Sequence, residues 1–248
     1  MHRNTAGGQV AVGVADVVKT YGRGETAVRA LDHVSLDLPA RRFTAIMGPS
    51  GSGKSTLLHC LAGLDTVDSG QVRIGQILLN GLSDAELTRV RRDRIGFVFQ
   101  SFNLLPTLSA EDNILLGLRL AGRTPDRSWV DTVITALGLR DRLRHKPGEL
   151  SGGQQQRVAI ARALAGRPEV IFADEPTGSL DSRSGAEVLG FLRMSVRELG
   201  QTVVMVTHDP VAAAHADHGV LLADGRVARH LPCPTADTVL AALAGLGA

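Results

Sequence analysis

Four short, almost wholly apolar runs recur along the chain: FTAIM (43–47), IGFVF (95–99), VIFA (170–173) and TVVMV (202–206). Runs of this length without polar alternation read as strands buried on both faces, the kind found in parallel sheets. Two longer stretches, VAVGVADVVKTY (10–21) and AVRALDHVSLDL (27–38), are rich in branched residues and alternate only in part, which also predicts strands. GVLLADGRVARHL carries a hairpin signal at Asp224–Gly225. Elsewhere the period changes. A helix is expected from Lys54, with Leu57, Leu58 and Leu61 on one side and Gly63 as its stop. DAELTRVRRDR (84–94) predicts a polar surface helix, and another is expected from about Ser182 to Glu198. From Ser101 to about Arg167 helical periodicity dominates, and Val158, Ala161, Leu164 and Ala165 form one apolar stripe closed by Gly166 and Pro168. VLAALAGLGA at the end reads as a small packing helix. The pattern predicts one α/β domain over 10–248, with a helical subdomain inserted at about 101–167 and a flexible arm at 1–9. No internal repeat or low-complexity tract interrupts it.

Composition narrows the class. With 44% hydrophobic and 21% charged residues in 248, the chain can bury a sizeable core. A net charge of +2 gives no strong general attraction to nucleic acid. Lys19, Lys54 and Lys146 are the only lysines. Cys60 and Cys233 stand apart, with no metal-ligand spacing, and suit a reducing compartment. MHRNTAGGQV lacks the apolar core of a signal peptide, and no stretch approaches the ~18 apolar residues of a membrane span. Any membrane role is therefore expected to run through a partner.

The chemistry begins at GPSGSGKST (48–56). The stretch has the P-loop spacing and lies where that loop must lie, between a buried strand and a helix start. Gly48, Pro49, Ser50, Gly51, Ser52, Gly53, Lys54, Ser55 and Thr56 would wrap backbone N–H groups around a polyphosphate, helped by the partial positive charge of the helix end. Lys54 would neutralise the β- and γ-phosphates and Ser55 would hold Mg²⁺. The blander reading is a glycine-rich turn that fits by accident. VIFADE (170–175) supplies the complement: Asp174 for Mg²⁺ through water, and Glu175 as general base toward a water. Taken alone, two acids at a strand end would only mark the exit to solvent. ELSGGQQQRVAIARAL contains a second glycine turn opening onto a helix, with Ser151 as cap and Gly152 and Gly153 exposing N–H groups. It is either an ordinary capped helix or a cradle for ATP held by another copy, which would demand a two-fold dimer.

In this order, the P-loop, LSGGQ (150–154) and DEPT (174–177) resemble the ATP-binding cassette (ABC) ATPases, over a span from about Val10 to Arg229. The resemblance implies a P-loop NTPase fold with a mixed β-sheet core, an antiparallel β subdomain and a helical subdomain. It also implies ATP and Mg²⁺ as ligands. KTYGRGETAVRALDHVSL, IGFVFQSFNLLPTLSAEDN and the segment from SGGQQQR to GSLD resemble the lipoprotein-release and macrolide-export branch, whose partners are FtsX/MacB-like permeases. A homodimer at the cytoplasmic face of the membrane is then expected, with no nucleic acid. The rival class, a soluble ABC-type ATPase acting on nucleic acid or ribosomes, usually carries tandem cassettes, coiled-coil arms or zinc modules.

The resemblance also implies roles residue by residue. Tyr21 would stack on adenine. Gln100 would touch Mg²⁺ and link the site to the helical subdomain. Ser151, Gly152 and Gly153 would grip the γ-phosphate across the dimer, where Asp181 would also lie. His208 would contact the γ-phosphate and hold the attacking water. Each has a plainer alternative: packing for Tyr21, a polar strand end for Gln100, a helix cap for Asp181 and an exposed or capping histidine for His208. Leu104, Leu105 and Pro106, just after Gln100, either receive the permease or pack inside the subdomain. Arg41–Arg42 replaces a glycine usual in the family, and Asp112–Asn113 and GSLD differ slightly from the branch pattern. None of these departures touches the phosphate chemistry.

Overall fold

Residues 9–246 are described by the structure, a computed structural model. The expected N-terminal arm lies outside the described residues apart from Gln9, whose carbonyl accepts the Ala40 N–H at 2.7 Å. The strands are β1 (Val10–Tyr21), β2 (Val28–Pro39), β3 (Phe43–Met47), β4 (Ser69–Ile74), β5 (Ile77–Leu78), β6 (Ile95–Phe99), β7 (Val170–Asp174), β8 (Val203–Val206), β9 (His218–Ala223) and β10 (Arg226–Pro232). The helices are α1 (Lys54–Leu61), α2 (Asp84–Arg94), α3 (Ala110–Leu120), α4 (Arg127–Ala136), α5 (Gly152–Ala165), α6 (Ser182–Arg197), α7 (Pro210–Ala213) and α8 (Ala236–Ala244).

Two sheets result. One is antiparallel, in the order β2-β1-β4-β5. The other runs β10-β9-β3-β8-β7-β6, parallel throughout except for β10, which closes the edge as a hairpin with β9. The uninterrupted apolar runs have a simple cause. Successive side chains of a strand point to opposite faces, and both faces here are covered. Phe43, Ala45, Ile171, Ala173, Val203 and Met205 enter the core shared with α3, α4, α5 and α6. Ile46, Val170, Phe172, Val204 and Val206 enter a second core with β1, β2 and α1.

Between β6 and β7 the chain is helical in α3, α4 and α5 and in two short 3-10 turns, Arg140–Arg142 and Pro147–Glu149, with a non-helical loop from Ser101 to Ser109. The hydrophobic core of these helices is continuous with one face of the large sheet. β4 and β5 were not expected. SGQVRI is mostly polar and buries only Val72 and Ile74, so its strand state depends on pairing with β1.

Parallel pairing decides where chemistry can occur. Ile46, Val206, Asp174 and Phe99 stand in one row across β3, β8, β7 and β6. The residues that follow this row therefore emerge together at the carboxyl edge of the sheet, where open α/β sheets bind ligands. These are Gly48, Thr207–His208, Glu175 and Gln100. Among the described residues, no helix is long and apolar enough to cross a membrane.

Candidate functional site

The loop between β3 and α1 is shaped by backbone contacts that exclude side chains. At Gly48 (φ 151°) a Cβ would lie 2.1 Å from the Leu222 carbonyl oxygen, and at Gly53 (φ 95°) one would lie 2.3 Å from that of Ala30. Only glycine fits either position. Pro49, Ser50, Gly51 and Ser55 are exposed around this turn, and Thr56 is half-buried in the first helical turn. The first turn of α1 carries no acidic residue and no side-chain cap, so its helix dipole is unopposed there. The buried Ser52 hydroxyl has no hydrogen-bond partner. Lys54 Nζ donates to the carbonyls of Gly48 at 3.0 Å and Pro49 at 2.7 Å. Burial lowers the Lys54 pKa, against the opposing pull of the Glu175 and Asp174 carboxylates.

β7 delivers the two acids differently. Burial pushes the Asp174 carboxyl up; His59 lowers it, Glu175 raises it and Lys54 lowers it again. Glu175 sits at φ 45°, uncommon for a side-chain-bearing residue, and is held there by its N–H bond to the Val206 carbonyl at 3.0 Å. Its carboxylate accepts from the Thr207 hydroxyl at 3.2 Å and lies 2.7 Å from His208 Nδ1. The glutamate side chain is 19% exposed and the histidine 75%, so the pair reaches from the sheet edge into solvent. Gln100 leaves β6 beside them. Its carbonyl accepts from Ser179 Oγ at 2.8 Å, and its amide lies so close to Gly178 that a Cβ there would be 2.7 Å from Nε2.

The second glycine turn stands on another element. Ser151 Oγ caps α5 by accepting the Gln154 N–H at 3.3 Å, and Gln154 Oε1 accepts the Ser151 N–H at 2.9 Å. Ser151 is exposed and Gly152 half-buried, while Gly153 is pressed against Ser184, 3.1 Å from where its Cβ would be. Asp181 caps α6, accepting the N–H groups of Ser184 at 3.0 Å and Arg183 at 3.1 Å, and these bonds hold its carboxyl below the usual range. Tyr21 is 44% exposed, and its hydroxyl donates to Asp65 at 2.6 Å. Burial and that bond raise its pKa, and the Thr56 hydroxyl lowers it.

Three residues here escaped sequence reasoning. Thr207 was legible in principle, as the hydroxyl directly before His208 at a strand end. His59 gave no signal beyond lying one turn into the helix after the loop. Gln156 is fully buried, donating to the carbonyls of Phe99 at 3.2 Å and Pro176 at 2.6 Å. Nothing in GGQQQR distinguishes it from the glutamines beside it.

Residues 31–178 match the ABC transporter family. An uncharacterized ABC transporter ATP-binding protein of Methanocaldococcus jannaschii is 47% identical over 221 residues, 86% of this chain and 94% of that one. The macrolide export ATP-binding/permease protein MacB of Marinobacter nauticus is 46% identical over 214 residues, 86% of this chain but 33% of its own length. The chain thus spans about a third of the MacB proteins it matches. The Methanocaldococcus cassette has been solved as a dimer in a post-hydrolysis state bound to ADP and Pi. It superposes with a TM-score of 0.80 at 45% identity, covering 90% of this chain and 98% of that one. The cbiO1 protein of Clostridium perfringens, part of the cbiONQ ABC transporter complex, superposes with a TM-score of 0.82 at 28% identity over 94% of this chain and 91% of that one. With a matching family over more than half its length and near-complete relatives at this identity, the chain belongs to the ABC transporter family and is one of its ATP-binding, ATP-hydrolysing cassettes.

Proposed function

We propose that this cassette powers export, extraction or force transmission through a separate FtsX/MacB-type permease, as a homodimer at the cytoplasmic face of the membrane. The observation that carries the hydrolytic role is the Glu175 carboxylate, fixed by Thr207 and 2.7 Å from His208 at the sheet edge that also bears Lys54. In this reading the loop 48–56 binds the triphosphate. Lys54 exchanges its carbonyl partners for phosphate oxygens, and the N–H groups at the start of α1 hold the rest. Glu175 takes the proton of the attacking water, and His208 orients that water and the γ-phosphate. Tyr21, with its hydroxyl anchored on Asp65, offers its exposed ring to adenine.

The oxygen donors Ser55, Gln100 and Asp174 fit Mg²⁺, a hard cation that prefers one or two carboxyl or hydroxyl groups together with substrate phosphates. Among the described residues no cluster of three or more His, Cys, Asp or Glu can hold a metal alone. When bound, Mg²⁺ neutralises charge on the phosphates and orients them.

The dimer is supported by the second glycine turn, whose Ser151 is exposed, which is capped only locally and which is borne by a separate element from the loop. Ser151, Gly152 and Gly153 would complete the site of a partner copy, with Asp181 nearby. The related Methanocaldococcus cassette has been seen as a dimer, which favours this assembly. For the permease, a groove of about 290 Å³ opens between the α2–β6 side and the α3–α5 side, floored by Phe97, Phe99, Ile114 and Leu118 and rimmed by Arg91 and Arg123. In the loop after Gln100, Leu105 is exposed whereas Leu104 packs on the core, so only the first of the two is available to a partner. The test of the hydrolytic assignment is single-turnover ATP cleavage by Glu175→Gln. The rate falls about 10²–10⁴-fold with ATP still bound, as expected for loss of a general base; turnover at the wild-type rate removes Glu175 from that role.

A further inference from the structure

Helix α5, which begins at the Ser151 turn, carries a buried amide that touches both other parts of the site. Gln156 is 0% exposed, and its Nε2 donates to the Pro176 carbonyl at 2.6 Å and the Phe99 carbonyl at 3.2 Å. Pro176 follows Glu175, whose left-handed backbone (φ 45°) needs its surroundings to hold it. Phe99 precedes Gln100. Two carbonyl acceptors on one nitrogen fix the orientation of the amide, since both of its hydrogens are used, and its oxygen is left buried without a partner. A leucine or methionine there would avoid that orphaned oxygen but would strip both carbonyls of this donor. The amide's unpaired oxygen is thus the cost of a pair of donors to the backbone on either side of the site. Six residues further along α5, Arg162 donates to the carbonyls of Phe102 at 2.8 Å and Asn103 at 2.5 Å, both in left-handed conformation, so the loop after Gln100 is tied to the same helix.

We propose that Gln156 is a positioning residue for hydrolysis. By clamping the Pro176 carbonyl it sets the backbone of Glu175, and by clamping Phe99 it sets Gln100, so that movement of α5 at the Ser151 turn reaches both groups in the same protomer. The proposal rests on the reading of Glu175 as base. It gives the turn that serves a neighbouring copy's nucleotide a direct mechanical route to the base of its own site.

The test compares Gln156→Met, Gln156→Glu and Glu175→Gln in the full chain, with hydrolysis in a single turnover and ATP affinity by titration, each normalised to folded protein. Gln156→Met removes both donors at nearly constant volume. Its hydrolysis rate falls at least 10-fold, as a displaced catalytic group requires, while ATP affinity stays within about twofold. In Gln156→Glu the introduced carboxyl is buried against two carbonyl oxygens, so it is protonated to unusually high pH and donates once when neutral. Its rate approaches wild type at low pH and drops as pH rises, an alkaline loss steeper than that of the wild type. Hydrolysis within twofold of wild type by folded Gln156→Met, with Glu175→Gln inactive, overturns the proposal alone. Wild-type turnover by Glu175→Gln overturns the base assignment beneath it. Should Gln156→Met not fold, the pH profile of Gln156→Glu decides: a profile parallel to wild type refutes the positioning role.

Discussion

Lys54→Ala isolates the charge that the loop brings to the triphosphate. In the structure Nζ is half-buried and bonded to two loop carbonyls, Gly48 at 3.0 Å and Pro49 at 2.7 Å, so it is already turned into the cradle. One ammonium against one phosphate charge at ~4 Å, with an effective dielectric of ~20, is worth about 4 kcal/mol. Giving up a carbonyl bond to a charged donor costs about 1.5 kcal/mol of that. The net loss of about 2.5 kcal/mol corresponds to roughly 60-fold weaker ATP binding. Only the ammonium form contributes, and burial has lowered its pKa. Wild-type affinity is therefore full at neutral pH and falls as pH rises through the depressed lysine value, a limb that Lys54→Ala lacks. Titration with a fluorescent ATP analogue across pH, beside a thermal melt to confirm folding, reads both effects. Affinity within about threefold of wild type, or an unchanged alkaline limb in the variant, refutes the reasoning.

Asp174→Asn is expected to trade function for stability. An acid whose folded pKa is raised destabilises the fold above that pKa and ceases to do so below its unfolded value. The nucleotide-free variant therefore melts higher than wild type at pH 7, and the difference vanishes below about pH 4, while Mg²⁺-dependent ATP cleavage is lost; equal melting at both pH values contradicts the burial account. Leu105→Asp places a charge on an exposed residue of the loop after Gln100 without entering the core. Basal ATPase is retained and co-purification with the permease is lost, and unchanged pull-down removes this loop from the docking surface.

How much of this was legible in sequence depends on which forces act locally. The strands β3, β7 and β8 announce themselves because burial on both faces demands apolar residues at every position. α2 is legible for the opposite reason: its Ser83 capping box and polar surface are written in consecutive residues. β4 is not legible, because a mostly polar segment becomes a strand only when β1 offers it a partner edge. The loop 48–56 and the Asp174–Glu175 pair stand out as local motifs, yet only the row of Ile46, Val206, Asp174 and Phe99 explains why their ends meet. Asp181 shows the limit of motif reading. Its carboxylate is engaged as the cap of α6, the plainer of its two roles, while a cross-dimer role needs a second copy to express it. Gln156 lies beyond sequence reasoning because a glutamine in the second turn of a helix with a polar start is buried only by tertiary packing.

In the proposed dimer two copies share each nucleotide, the loop of one chain facing the Ser151 turn of the other. The direct measurement is the solution mass of Glu175→Gln with Mg·ATP, by light scattering or sedimentation, with a Ser151→Arg companion that blocks the turn. A single chain is 26.2 kDa. The account predicts about twice that mass for Glu175→Gln with Mg·ATP, reverting to one chain with ADP or in the companion variant. A strictly single-chain mass with Mg·ATP, with the permease present as well as absent, contradicts it.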